Sequence, residues 1–324
     1  MKLAIQIILY NSSGHLAPLL DSLKAQTFKD VEVFFYDNSE LVSEVSSSRQ
    51  VIDASGLPHR FVAAEKNIGF AGGHVEMYRL HDAPFVMLLN DDAKLEASYL
   101  EHAMKRIESD PKIGSVTGLV YRWDGETIDT TGLEYPCMAR IRDRFAGESV
   151  AHRSSFIVHN GEVFGVSGAI GLYRRSAIDK AGGLFDPAWF MYKEDVDLAI
   201  RLKRAGFSAW FEPKAVAWHK RGLKEDRKGW MARLVDEHKR PALLRQHAYI
   251  NQHRVYTLHA APALGFKDFF LSLVNELGRT FLVFVTSPIV WIRSVFTLAV
   301  TFPTFWKRRK ELEKLGLPHR RMLV

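Results

Sequence analysis

Phe85-Val86-Met87-Leu88-Leu89-Asn90-Asp91-Asp92 is five apolar residues running straight into a pair of carboxylates. A short, fully apolar run bounded by polar turn residues is the pattern of a strand buried on both faces, as in a parallel sheet. The residues before it repeat the theme. Leu3–Leu9 is apolar except for Gln6 and stops at the turn-rich Tyr10-Asn11-Ser12-Ser13-Gly14. Residues 15–26 carry apolar side chains at 16, 19, 20 and 23, which is helical spacing. A second strand over 31–36 stops at Asp37-Asn38-Ser39, and a third over 60–64 stops at Glu65-Lys66-Asn67-Ile68-Gly69, followed by a helix over 71–80. Strands alternating with helices predict βαβ units and an α/β fold with a Rossmann-like, mostly parallel central sheet.

In an open α/β sheet, ligands bind outside the carboxyl ends of the strands, so Asp37, Asn67, Asp91 and Asp92 are expected to face one crevice. Each alone would pass for an ordinary turn residue. Downstream, strands are expected over 113–121, 164–173 and 209–218, the last ending at His219. The polar stretch 122–161 is either a functional loop or a set of short elements. Val166-Ser167-Gly168-Ala169-Ile170-Gly171 is small and flat, suited either to close backbone approach to a ligand or to close packing. Then comes Phe190-Met191-Tyr192-Lys193-Glu194-Asp195-Val196-Asp197-Leu198, with three carboxylates at a helix start. Arg201, Lys203 and Arg204 occupy the last turn and Gly206 the stop, so the acids also suit the helix dipole.

Two neighbouring carboxylates at a strand end are what a hard divalent cation wants, the remaining ligands coming from phosphate and water. Asp91 and Asp92 thus read as a Mg2+ or Mn2+ site for a diphosphate, with His219 as a further ligand, although a lone His after a strand is more often a surface or capping residue. A departing diphosphate needs a base for the incoming nucleophile, and Glu194-Asp195 supplies one.

Taken in order, Tyr10-Asn11, Asp37-Asn38-Ser39, Asn67-Ile68-Gly69-Phe70-Ala71-Gly72-Gly73, Leu89-Asn90-Asp91-Asp92, Gly168-Ala169, Glu194-Asp195-Val196-Asp197-Leu198 and His219 resemble the family 2 inverting glycosyltransferases, most nearly their rhamnosyltransferase-like branch. The resemblance covers roughly residues 1–222 and implies a GT-A nucleotide-diphospho-sugar transferase fold. It implies a donor pocket at Tyr10, Asn11, Asp37, Asn67, Gly69, Asp91 and Gly168, with Asp37 on the nucleotide base. Asp92, with Asp91 beside it, and His219 would hold the metal, and Asp195, or Glu194 failing it, would be the base. The branch usually reads Asn-Pro-Asp where this chain has Asn90-Asp91-Asp92, so either aspartate could be the principal ligand; Asp92 aligns with the usual one. Trp189 and Tyr192 would stack the acceptor sugar or belong to the core. The glycine run 69–73 lacks the Lys-Ser/Thr of a P-loop and is not GxGxxG, which sets aside GTPase and dehydrogenase readings.

The net charge of +7 is uneven: residues 220–324 hold 20 Lys+Arg against 8 Asp+Glu, leaving the first two-thirds mildly acidic. Residues 281–306 contain one charge, Arg293, and run into Lys307, Arg308, Arg309 and Lys310. That length permits a span, but Arg293 near its middle and Pro288 and Pro303 favour helices lying in an anionic membrane interface. A buried helical hairpin is the alternative. Basic residues in such aliphatic and aromatic company do not suggest a nucleic-acid partner. The single Cys137 excludes an internal disulfide and suits a reducing compartment, and residues 1–9 carry no signal-peptide pattern. The expectation is a catalytic domain over 1–222 and a helical, membrane-associating extension over 223–324, on the cytoplasmic face of a membrane. The expected activity transfers a sugar, L-rhamnose from a dTDP-sugar, to a hydroxyl of a glycan or lipid-linked glycan. The alternatives are a nucleotidyltransferase and an inactive carbohydrate-binding protein.

Overall fold

The computed structural model describes residues 1–137, 141–149, 161–220, 241–259 and 266–315. The chain opens with β1 (Leu3–Leu9), α1 (Ala17–Lys24), β2 (Val31–Asp37), α2 (Val42–Ser55), β3 (His59–Ala63) and α3 (Gly69–Arg79). β4 (Phe85–Leu89), β5 (Ala93–Leu95), α4 (Tyr99–Glu108) and β6 (Ile113–Arg122) follow. The described parts of the polar stretch after β6 contain short strands: β7 (Ile128–Thr130), β8 (Leu133–Glu134), β9 (Arg142–Asp143) and, at its end, β10 (Gly161–Val163). The strand expected over 164–173 is shorter, β11 (Ile170–Arg174), because the small residues before it form a loop. Next come α5 (Arg175–Lys180), a 3-10 turn (Pro187–Trp189), α6 (Glu194–Arg204), β12 (Ser208–His219), α7 (Ala242–His259), α8 (Phe266–Thr286) and α9 (Pro288–Lys314).

The main sheet runs β3-β2-β1-β4-β11-β6-β12-β10. β1 to β4 are parallel, β11 is antiparallel to both β4 and β6, and β6 is parallel to β12. β1, β2, β4, β6 and β12 therefore deliver their carboxyl ends to one edge. The period-two pattern explains the two cores: Leu3, Ile5, Ile7 and Leu9 face α1, α2 and α4, while Val86 and Leu88 face α3, α5 and α6. β12 carries a bulge, since Glu212 pairs with Gly118 and Val216 with the very next residue, Leu119. A Cβ on residue 118 would collide with the Ala215 carbonyl, so glycine is what admits the bulge.

α7 and α9 add Val255, Leu258, Phe305 and Leu312 to the core that holds α6. The expected boundary at 222/223 lies outside the described residues. α8 and α9 are each long and apolar enough to cross a membrane by length and composition, and they expose Phe266, Leu277, Phe281, Ile289, Phe296 and Val300. The break between them falls at Ser287, before Pro288 at the first position of α9, whereas Pro303 sits inside α9 and does not end it.

Candidate active site

The strand ends are knitted to one another before any ligand is considered. The Asn11 amide donates to Ser39 Oγ (2.8 Å), and Asn38 receives the Ile68 amide (3.1 Å) while its own Nδ2 donates to the Gly69 carbonyl (3.0 Å). Asn67 Oδ1 accepts from the Gly69 amide at 2.9 Å. Asp37 is fully buried; Oδ1 accepts from the Ser39 amide, and Oδ2 has no hydrogen-bond partner among the described residues. Tyr10 and Asn11 are exposed at the same edge.

Asp91 and Asp92 have different partners. Asp91 receives the Ser12 hydroxyl and lies 3.4 Å from His15 Nε2, a contact that raises the His15 pKa. Asp92 lies 3.0 Å from His219 Nε2. Strand pairing makes that second contact: Ala93 of β5 is in register with His219 of β12, and the Lys220 amide donates to the Asp92 carbonyl. β7 adds Asp129, which accepts from His219 Nδ1 at 2.8 Å. Burial alone would lower the imidazole's pKa, but hydrogen bonds to Asp129 and Asp92 raise it to about 9. Asp92 is held below the usual carboxylate range by His219, against the opposing effect of burial. A carboxylate beside an imidazole whose far nitrogen is anchored on a second carboxylate is a fitting donor set for a divalent cation. Among the described residues no three His, Cys, Asp or Glu side chains cluster for a metal, so the remaining ligands would come from substrate and water.

The loop before β11 joins this side to the acidic stretch. The Ala169 carbonyl accepts from the Asn90 amide (2.8 Å), and the Gly168 amide donates to Asp195 Oδ2 (3.2 Å). Asp195 is part exposed, and its Oδ1 accepts from the Val196 amide at 2.7 Å. Glu194 is buried, and burial, with the Asp195 charge beside it, pushes its carboxyl up to about 8. Asp197 takes no part in this. It is buried against Arg201 Nε (2.8 Å) and His259 Nε2 (2.8 Å). Burial opposes its ionisation, yet the Arg201 charge and the His259 hydrogen bond hold it at about 2. Arg201, placed in the last turn of this helix by the sequence, is 1% exposed and also donates to the carbonyls of Ala181, Gly183 and Leu184.

Of the two expected acceptor residues, Trp189 is 0% exposed and packs edge-on to Phe305, so it is core and offers no face to a sugar. Tyr192 is half-buried and, like Phe190 and Lys193, has a positive φ. Gly69, at φ +78°, packs so tightly on the Phe190 carbonyl that any side chain there would collide with it. His15, Ser12 and Asp129 were not singled out from the sequence. Nothing local marks them, because a partner far along the chain gives each its role.

A family model described as glycosyltransferase like family 2 matches residues 2–240. The N-acetylglucosaminyl-diphospho-decaprenol L-rhamnosyltransferase of Mycobacterium tuberculosis is 26% identical over 237 residues, covering 67% of this chain and 75% of that protein. Among solved structures, the mannosyltransferase PcManGT from Pyrobaculum calidifontis, in complex with GDP-Man and Mn2+, aligns with a TM-score of 0.55 at 15% identity, over 97% of this chain and 86% of that one. GalNAc-T7 with UDP, GalNAc and Mn2+ aligns with a TM-score of 0.59 at 12% identity, over 80% of this chain and 48% of that one. The fold they share with this chain is GT-A.

Proposed function

The chain belongs to the family 2-like glycosyltransferases, and from that premise we propose that it moves a sugar from a nucleotide-diphosphate donor to a hydroxyl of a lipid-linked glycan, with inversion. The observation that carries this reading is the pairing of Asp92 with His219 at 3.0 Å, on the same strand end as Asn90, which bonds the Gly168-Ala169 turn that in turn bonds Asp195. Asp92 and His219 would hold Mg2+ or Mn2+, with Asp91 beside them; bound there, the cation would offset charge on the leaving diphosphate. Asp37, with its unpartnered Oδ2, would receive an N–H of the nucleotide base, and Tyr10, Asn11, Asn67, Gly69 and Gly168 would line the donor pocket.

The acceptor oxygen forms a bond to the anomeric carbon from the side opposite the diphosphate, the bond from carbon to diphosphate oxygen breaks, and the hydroxyl proton passes to Asp195. Asp195 suits this better than Glu194, whose buried carboxyl is mostly protonated at neutral pH and so has no vacant site for the proton. The half-buried Tyr192 beside it remains the acceptor contact.

L-Rhamnose from a dTDP-sugar is the donor we favour, supported by the mycobacterial rhamnosyltransferase, whose name also specifies a decaprenol-linked acceptor. Residues 1–222 would be the catalytic unit and 223–324 the extension that docks on the cytoplasmic face of an anionic membrane. The bare apolar faces of α8 and α9 next to Lys307, Arg308, Arg309 and Lys310 support that docking. No observation favours a nucleotidyltransferase, an inactive binder or a nucleic-acid partner. Incubating the protein with a panel of nucleotide-sugars, Mn2+ and a lipid-linked acceptor should release free nucleoside diphosphate, most from dTDP-rhamnose. Folded protein that turns over no donor, or that releases pyrophosphate from a nucleoside triphosphate and a sugar phosphate, defeats the proposal.

A further inference from the structure

Residues 190–193 are the most strained backbone near the site. Phe190, Tyr192 and Lys193 all have φ between 60° and 72°, conformations that side chains disfavour and that persist only where the surroundings impose them. The loop runs directly into Glu194 and Asp195, so its shape sets where the Asp195 carboxylate starts. On one side it rests on the first turn of α3, where the Ala71 amide donates to the Phe190 carbonyl at 3.0 Å. On the other side it meets α7. Asn251 of α7 is 0% exposed, and its Nδ2 donates to the carbonyls of Trp189 (2.9 Å), Met191 (2.7 Å) and Tyr192 (3.0 Å). Arg254, one turn on, donates both to Asn251 Oδ1 (2.9 Å) and to the Ala188 carbonyl (2.8 Å). The Phe190 ring stacks on His247 of the same helix, 4.9 Å between centroids.

We infer that Asn251 is a positioning residue for the transferase: its amide gathers three carbonyls of the left-handed loop and thereby fixes Asp195 against the Gly168 amide. An amide whose two N–H bonds reach three carbonyls, one of them shared, from one buried position is ill suited to replacement, because neither a carboxylate nor a methyl group can donate to them. The inference rests on the reading of Asp195 as the base. It gives α7 a part in building the active site, beyond joining that domain to the apolar helices.

The test uses the full chain with Asn251→Asp, which keeps the acceptor for Arg254 but turns the donor into a fourth oxygen facing the three carbonyls. Turnover is expressed per nucleotide-binding site, counted by titration with nucleoside diphosphate and Mn2+. We expect kcat at least tenfold lower, KM for the nucleotide-sugar within threefold of wild type, and less than threefold further loss when the change is added to Asp195→Asn. Should Asn251→Asp fail to fold, Asn251→Ala, which removes the donor without adding charge, carries the same test. Tyr249→Phe is the control, because it loses one hydrogen bond, from α7 to Thr280, and leaves the hydrogen bonds to the loop in place. Wild-type kcat in binding-competent Asn251 variants, or an equal loss in Tyr249→Phe, overturns the inference. Wild-type turnover in Asp195→Asn sinks the base assignment instead, whatever the Asn251 variants do.

Discussion

The two halves of the candidate site are built from different materials. The Asp92–His219 half hangs on strand ends: β5 pairs with β12 and β7 with β6, so ladder hydrogen bonds deliver Asp92, His219 and Asp129 to one point. The Asp195 half hangs on a loop with three left-handed residues, held between α3 and a helix that begins after residue 240. The first half draws its precision from a regular sheet, and the second from side chains that donate to the carbonyls of the loop. A sheet tolerates side-chain exchange around it, whereas a capped loop depends on a few named donors.

Four substitutions would break or sharpen that contrast. The largest effect is expected from Asp195→Asn, with kcat down by roughly 10^3-fold and nucleoside diphosphate affinity unchanged in a calorimetric titration. An equal loss of nucleotide affinity would mean that the halves are not separable. Asp197→Ala, which strands the buried Arg201, should cost about 3 kcal/mol in urea denaturation, since removing one partner of a buried pair leaves an uncompensated charge. Asp129→Asn should leave the fold intact and raise the Mn2+ concentration for half-maximal activity by about 10- to 100-fold, as expected for a residue that orients a ligand without being one. An unchanged metal response would remove His219 from the metal set.

The smallest effect concerns Glu194. Its folded-state pKa, about 8, lies above its ordinary value of 4.5. The protonated form is thus the stabilising one: its contribution is complete below about pH 4.5 and is lost as pH rises to about 8. Glu194→Gln should therefore flatten the decline of Tm between about pH 5 and 8. A slope identical to wild type would show that Glu194 ionises as readily in the folded protein as in the unfolded chain.

The same contrast explains what could be read from the chain. β1, β2 and β4, with Asp37 and Asp92 at or beyond their ends, are visible because buried parallel strands are continuous apolar runs with polar stops, whereas the partly exposed edge strand β3, which leads to Asn67, shows only a short apolar patch. His219 was visible as a strand-end residue, but its anchor Asp129 was not. It sits in a three-residue strand whose pairing partner, β6, gives it meaning. α2 lacks a clean apolar stripe and sends only Ile52 fully into the core, while α4, whose Leu100, Met104 and Ile107 form such a stripe, is not among the helices expected from the sequence. Trp189 illustrates the opposite failure. An aromatic residue beside an acidic motif invites a sugar-binding role, and only the packing of Phe305 from a helix more than a hundred residues later shows it to be core. Asn251 lies on a helix with no motif at all, and no reading of its neighbours in sequence could have linked it to the Tyr192 carbonyl.

The bulge between Glu212 and Val216 makes the site a matter of counting as well as chemistry. It sets the register in which Val216, Ala217, Trp218 and His219 descend beside Leu119 to Arg122, with side chains alternating between the two faces of the sheet. Adding one residue to that segment would put Trp218 in His219's place opposite Ala93, and removing one would put Lys220 there; neither offers an imidazole. The pair can therefore withstand drift in the composition of β12 but not in its length, and insertions or deletions between Gly118's partner and His219 should be lethal to turnover even where the fold absorbs them.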